Sequence, residues 1–504
     1  MSSWFSNKGS VEDADLLGKD GPVHHEGYQK SGDVLIKPVK DPISGKENSE
    51  YKAIDVNGTN FLPPLKGGVT YTFYFVTSWI LFLQGISELS GLAVSYFYKN
   101  ELKVDPAVLS TVTSLTALPW TIKPLYGLIT DGFPIFGYRR KPYLILCGVM
   151  GCVAWAVMST MVNEVWFGFA MMFIASMAIG FSNVIAEGMV VEKSRGESQE
   201  FASHLQATVH GAQAVGGIIA AYFSGLLLDY ITNRQMFALC AVFPLTLIIV
   251  ALISPEEKFT GDLASVRNGI AQKLKELWSA FMRPEIFKPV AFVFMLNATP
   301  ATGSTWFYFY TNTLGFTSDF LGTINVVGAV CSLGGVLLFG NFLASTPFRP
   351  ILIWSTIIST VIGLTQLILV FRWNLDYGIP DGFFCLGESA VLSVLGWINT
   401  MPILVLASRL CPQGMEATMY ALIMSVNNLG GVLGAQFGAL ITWQLAITDE
   451  NLDNFWILVL ICNLSTVIPL IFIGWIPADG KDYGAEMGPE SVEEGTANNS
   501  KHKE

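Results

Sequence analysis

From residue 70 onward the chain alternates long apolar runs with short polar joints. The runs fall near 70–98, 107–130, 143–162, 165–190, 200–228 and 235–253, and again near 288–312, 319–344, 350–371, 382–408, 415–443 and 454–476. A helix needs about 20 residues to cross a hydrocarbon core, and each run is of that order or longer. Lipid offers a peptide group no hydrogen bond, so only helices or a closed barrel can span it, and the runs lack the period-2 alternation of barrel strands. The pattern predicts an all-α integral membrane protein with twelve transmembrane helices. A polar stretch over 254–287 parts the runs into a first six-helix bundle, 67–253, and a second, 288–476.

The two sets of runs repeat. One constant shift along the chain places Ser194 and Arg195 on Ser408 and Arg409, Gly216 and Gly217 on Gly430 and Gly431, and Ala221 and Phe223 on Ala435 and Phe437. This single shift relates the junction of the fourth and fifth runs to that of the tenth and eleventh, and it carries the first run onto the seventh. Parallel pseudo-symmetric halves related by an axis along the membrane normal are the arrangement of the major facilitator fold, with the substrate cavity between the halves near the midplane.

Composition supports the membrane reading: 51% of residues are hydrophobic and only 14% charged, where soluble domains hold about a quarter. The net charge of −11 belongs largely to the ends. Residues 1–66 carry eight basic and ten acidic groups and residues 477–504 three and seven, so the ends account for six of the eleven negative charges. Both ends are polar and are expected to be disordered tails. The ten acidic groups over 1–66 argue against an organelle transit peptide, and the first run itself is the expected targeting signal. With the tails inside, the inner joints hold thirteen Lys and Arg residues and the outer joints four, which assigns both termini and the 254–287 linker to the cytosol. The plasma membrane is the expected location, with an internal membrane as the alternative. Seven cysteines show no metal-ligand spacing and read as small apolar packers.

Charge inside the runs is the sharpest chemical signal, because an ionised side chain at a helix centre costs about 2.5–3.5 kcal/mol on insertion scales. Glu88, Lys123, Glu187 and Glu388 qualify. Lys123 is the only Lys or Arg well inside a run. It suits an anionic group of a solute, or else pairs with Glu187 as a structural ion pair. Glu88 and Glu388 are candidates for substrate contact and for proton coupling, since burial lifts a carboxylate towards neutral titration. His210, with Gln206 and Gln213 on one helical face, is either a hydrogen-bonded packer or a third proton-coupling candidate. Asn297, Thr299, Pro300 and Gly303 interrupt the seventh run, as cavity-lining segments do. The aromatic run Trp306 to Tyr310 reads as an interfacial belt or a stacking surface. Asp131, Arg139 and Arg140 in the second joint, with Glu192 and Arg195, and Arg409 with Glu416 in the second half, are assigned to inner gating. Solvated pairs of this kind are worth about 0–1 kcal/mol, weak enough for a solute to shift.

Two stretches carry a family resemblance. Pro119-Trp120-x-x-Lys123-Pro124-x-x-Gly127 runs into Asp131-x-x-Pro134-x-x-Gly137-Tyr138-Arg139-Arg140-Lys141-Pro142-Tyr143, and Met401-Pro402 leads to Ala407, Leu410-Cys411-Pro412, Gly414, Glu416-Ala417-Thr418 and Asn427 or Asn428. Across roughly 70–476 the chain resembles the folate-biopterin transporter family of the major facilitator superfamily. The resemblance implies proton-linked movement of folate or a pterin, and Lys123, charged within its run, is then the candidate to receive a carboxylate of the substrate. Glu88, Glu187, Asn297 and Glu388, picked out as charged or polar positions within the runs, complete the candidate binding set. Val191-Glu192-Lys193-Ser194-Arg195 fits the family pattern, whereas Asn183 replaces an expected Asp, and Glu187 and Glu388 an expected shorter carboxylate. Another heteroaromatic metabolite such as S-adenosylmethionine is the alternative cargo, and a receptor or scaffold without transport the alternative class. No metal pair, nucleotide loop or nucleophile elbow points to an enzyme. No cofactor and no nucleic-acid partner is expected, and the protein is expected to act as a monomer.

Overall fold

In the computed structural model the residues described are 29–31, 34–40, 47–55, 71–194, 199–254, 256, 258, 272, 274–343, 346–411 and 416–477. They fall in two compact units, residues 1–64 and 65–504. The first unit contains an antiparallel sheet of β1 (Gln29–Ser31), β2 (Val34–Lys40) and β3 (Glu47–Asp55), in that order, with the register shifting between Pro38 and Val39. Average composition predicts a tail without such strands. The reason for the difference is local: Val34-Leu35-Ile36 and Tyr51 to Ile54 are short β-favouring runs that the polar average hides. Proline cannot donate to a ladder, which fits the irregularity beside Pro38.

The second unit is helical and follows the six-plus-six pattern. The first half comprises α1 (Tyr71–Glu101), α2 (Pro106–Leu115 and Lys123–Gly132), α3 (Lys141–Thr160), α4 (Val165–Ser194), α5 (Gln199–Leu226) and α6 (Asn233–Ile253). The second comprises α7 (Pro284–Asn297 and Thr305–Tyr308), α8 (Ser318–Leu338), α9 (Phe348–Leu364 and Gln366–Val370), α10 (Asp381–Arg409), α11 (Glu416–Gln444) and α12 (Phe455–Ser465 and Ile468–Trp475). Among the described residues nine of these rods are long and apolar enough to cross a membrane by themselves. The other three are α2, α7 and α11. Two are interrupted and the third carries Asn427, Asn428 and Gln436, and these same three helices meet one another at the junction of the halves.

Small residues let the helices approach. Between apolar helices in lipid, association rests on close packing and interhelical hydrogen bonds, so backbone contact favours glycine. On α5, a Cβ added to Gly216 would lie 2.5 Å from the carbonyl oxygen of Phe82 in α1. On α11, one added to Gly430 would lie 2.8 Å from that of Phe294 in α7. The repeat therefore has a packing meaning: one glycine position docks the first helix of each half. The halves themselves join along α5 with α8 and α2 with α11. Gly225 and Gly322 make the first of these contacts, where a Cβ on Gly322 would stand 2.8 Å from the Cα of Gly225.

Candidate functional site

The basic end of the unit carries Arg139 to Lys141, Arg349 and Arg409, together with the start of α1 and the end of α12. The opposite end holds the α1–α2 and α11–α12 joints. On α2, Pro119 and Pro124 open two successive helical turns, and the tight turn Leu118–Ile122 between the two parts delivers Lys123 to α4. There its ammonium donates to Asn183 Oδ1 at 2.9 Å and lies 4.9 Å from the centre of the Trp120 ring. Glu187 is 3.8 Å away, with 42% of its side chain exposed against 15% for Lys123. Sequence alone leaves Lys123 and Glu187 as either partners or ligands. The pair exists, but at a loose contact distance, and the close partner of Lys123 is a neutral amide.

Asn183 in turn donates to Gln84 Oε1 at 2.6 Å. Glu88 lies one turn further along α1 on the same face as Gln84. It is exposed, and its side chain makes no hydrogen bond or ion pair with another described residue. A carboxylate turned to hydrocarbon would be costly, which makes Glu88 a candidate for contact with a solute. Gln84, Asn183, Lys123 and Glu187 thus form one connected polar wall on the first half, with Glu88 one turn beyond Gln84 on α1.

On the second half, Asn297 donates to Asn427 Oδ1 at 2.8 Å and to the Val293 carbonyl at 3.0 Å. Beyond it α7 unwinds, and the freed backbone is satisfied on α11, where Ala301 N–H donates to the Gly434 carbonyl at 3.2 Å. Asn428 reaches the Trp120 carbonyl at 3.2 Å and Gln436 reaches Ser114 Oγ at 2.6 Å, so α11 is tied to α2 beside Lys123 and above it. Glu388 is elsewhere. It sits inside the second half, accepting from Gln366 of α9 at 2.5 Å, while Asn463 of α12 donates to Gln366 Oε1 at 3.3 Å. Its second oxygen is buried without a hydrogen-bond partner among the described residues. His210 is exposed on α5 and lies 3.3 Å from Gln213 Oε1.

At the basic end, Arg140 pairs with Glu192, whereas the sequence reading groups Arg140 with Asp131 and Glu192 with Arg195. The carboxylate of Glu256, which sequence does not single out, accepts the backbone N–H groups of Arg139 at 2.7 Å, Arg140 at 2.9 Å and Lys141 at 2.7 Å. It clamps a sharp turn in which Phe136 and Gly137 both adopt positive φ. Arg409 lies 5.1 Å from the Phe348 ring. None of these contacts joins the first half to the second, and those of Glu256 join the first half to the linker. Arg195 lies outside the described residues, as do the side chains of Asp131 and Glu416. The opposite end is different, because there the halves bond to each other. Tyr308 donates to the Val104 carbonyl, Ser304 N–H to Ser110 Oγ at 2.9 Å, Asp449 N–H to Asp105 at 3.1 Å and Ser318 to Asp229 at 2.5 Å.

Relatives agree with this architecture. The sequence profile of the BT1 family matches residues 84–487. The chain belongs to the BT1 family. It is 44% identical over 399 residues to a folate-biopterin transporter of Synechocystis sp., covering 79% of this chain and 80% of that one. It is 28% identical over 471 residues to folate transporter 1 of Plasmodium falciparum, covering 93% and 90%. Among solved structures, a nucleoside transporter superposes with TM-score 0.60 at 16% identity, covering 80% of this chain and 98% of its own. A D-xylose–proton symporter gives 0.59 at 13%, covering 81% and 98%. At such identities the likeness is one of fold, and the fold is that of major facilitator transporters. This BT1 family member is a multi-pass membrane transporter and not an enzyme.

Proposed function

We propose that the protein moves folate or a related pterin across the membrane by alternating access, coupled to protons. The observation that carries this reading is the polar wall of Gln84, Asn183, Lys123 and Glu187, with Glu88 beside it, within an otherwise apolar body. Its one ammonium suits the carboxylate of a folate tail. The carboxylates of Glu187 and Glu88 suit the pterin ring, whose N–H and amine donate side by side to one acceptor pair. The relatives named for folate and biopterin support that cargo. The basic end is taken as cytosolic, from its Lys and Arg excess. Because the halves bond across the opposite end, the conformation is read as open inward.

Glu388 is proposed as the proton site rather than a substrate contact. Its amide partners and its orphaned oxygen favour a carboxyl that gains a proton on one side and releases it on the other. His210, held by Gln213, is the weaker candidate. A second cargo class has one observation in its favour: the polar wall and Glu88 beside it hold two carboxylates to one ammonium, which also suits a cationic heteroaromatic such as S-adenosylmethionine.

Uptake by purified protein in liposomes, at a series of external pH values, tests the reading. Lys123→Ala should raise the KM for folate at least about tenfold, the loss of one charge-assisted contact. Glu388→Gln should flatten a pH profile that otherwise rises as external pH falls, with little change in KM. Glu88→Gln should weaken pterin affinity. Unchanged affinity and unchanged pH dependence in all three variants would remove the site assignment. Competition of labelled folate by biopterin and by S-adenosylmethionine decides the cargo.

A further inference from the structure

One junction between the halves is built in more detail than the others, and the substrate chemistry above does not use it. The first helix ends in Tyr96-Phe97-Tyr98-Lys99-Asn100 and the seventh in Tyr308-Phe309-Tyr310-Thr311-Asn312, the same pattern with a single exchange. Both segments close in a wide turn of π geometry, Phe97–Glu101 and Phe309–Thr313. Both bury their Phe on the last helix of their own half, Phe97 at 5.3 Å from the Phe237 ring of α6 and Phe309 at 5.2 Å from the Phe455 ring of α12. π turns inside helices are rare and recur at functional positions.

The two copies meet. The Lys99 ammonium donates to Oγ1 of Thr311, its counterpart in the other copy, and to Oδ1 of Asn312. It lies 4.0 Å from the carboxylate of Asp449 in the α11–α12 joint and over the rings of Tyr308 at 5.2 Å and Phe307 at 5.7 Å. Asn312 fixes that joint by donating to Asp449 at its carbonyl, 2.7 Å, and at its carboxylate, 2.8 Å. Lys99 itself is only 8% exposed. Every one of these partners belongs to the second half, and Lys99 to the first.

An ammonium withdrawn from water loses hydration that its new partners only roughly replace. Such a junction is stable while the halves are closed, and it can open because separation returns the ammonium to water. We propose that Lys99 is the latch of the outer gate, holding this end of the chamber shut in the present conformation and releasing it when the chamber opens outward. The exchange of Lys for Thr between the copies gives the junction one donor cation and one set of acceptors, where two identical turns would offer two like groups.

The inference rests on the alternating-access reading, and the test separates the two. Ser114 lies on α2 where Gln436 closes over it, on the chamber side of the latch. With full-length Ser114→Cys protein in right-side-out vesicles, labelling by a membrane-impermeant maleimide reports outward opening, and the parent chain measures the contribution of the native cysteines. Adding Lys99→Met should speed labelling at least about fivefold, the low end of ordinary coupling between two-state elements. Lys99→Arg should stay nearer the parent. Equal labelling in a folded Lys99→Met protein overturns the latch. Should that variant fail to fold, Thr311→Val with Asn312→Ala carries the same expectation, and equal labelling there overturns it too. Folate added to Ser114→Cys alone supplies the control: a change in its labelling with no effect of the latch variants leaves alternating access standing, whereas no response to either removes both.

Discussion

At the scale of the residue, a short chain of contacts sets what Lys123 can do. Its close neighbour is the neutral Asn183 at 2.9 Å, and its nearest charge, Glu187, is farther off and wet. The ammonium is therefore held mainly by a neutral amide and paired only loosely with Glu187, which leaves it able to accept an anion. Asn183→Asp would put a carboxylate in the closer position. The new ion pair should compete with the substrate and raise the KM for folate about fivefold, corresponding to about 1 kcal/mol. The maximal rate should change less, and liposome uptake at fixed pH checks both. Sequence reveals Lys123, Glu187 and Glu388 because charge within an apolar run stands out. It cannot reveal that Glu388 lies apart from the other two. That depends on which face of α10 meets α9 and α12, and an apolar, Gly-rich helix leaves the face undefined. Lys99 and Glu256 escape notice for a related reason: at the ends of runs, a charged residue looks like an ordinary solvated one.

At the scale of the element, small residues decide how closely the broken helix α7 can lie on α11. A Cβ on Gly438 would overlap the Ala301 carbonyl oxygen, whereas one on Gly431 would meet nothing within 4 Å. Gly438→Ala should therefore destabilise the protein by about 1–3 kcal/mol, through overpacking against backbone that cannot yield. Gly431→Ala should be neutral or slightly stabilising, because alanine favours the helix. Thermal unfolding in detergent compares the two, and equal shifts would show that α7 does not rest on α11 as described. The twelve runs and the two halves are legible because hydropathy marks a membrane helix directly. The repeat that joins Gly216 to Gly430 is legible too, and it marks the glycines that dock α1 and α7. The second repeat, Tyr-Phe-Tyr-x-Asn, follows a slightly different shift, so a search along the first register passes over it. The strands of the N-terminal unit are hidden differently, since a composition average over the whole polar stretch conceals short runs such as Val34-Leu35-Ile36.

At the scale of the whole molecule, the helical unit has one end where the halves bond to each other and one where none of the contacts described joins the first half to the second. Between them lies the polar wall. Each half has a rigid interior: Phe97, Phe237 and Trp155 pack in the first, and Phe309, Phe455 and Trp306 in the second. Under the proposed alternating access, the motion is a rocking of one half on the other. It would expose the same wall to each side in turn while leaving both interiors intact.

The central claim is that this wall carries folate through the membrane at the expense of a proton gradient. Its most direct measurement is folate accumulation in liposomes containing the purified protein, with the outside more acidic than the inside. The account predicts accumulation above the external concentration, collapse on adding a protonophore, and a KM raised at least about tenfold with Lys123→Ala. Uptake no faster than in protein-free liposomes, or uptake that ignores both the gradient and Lys123, would contradict it.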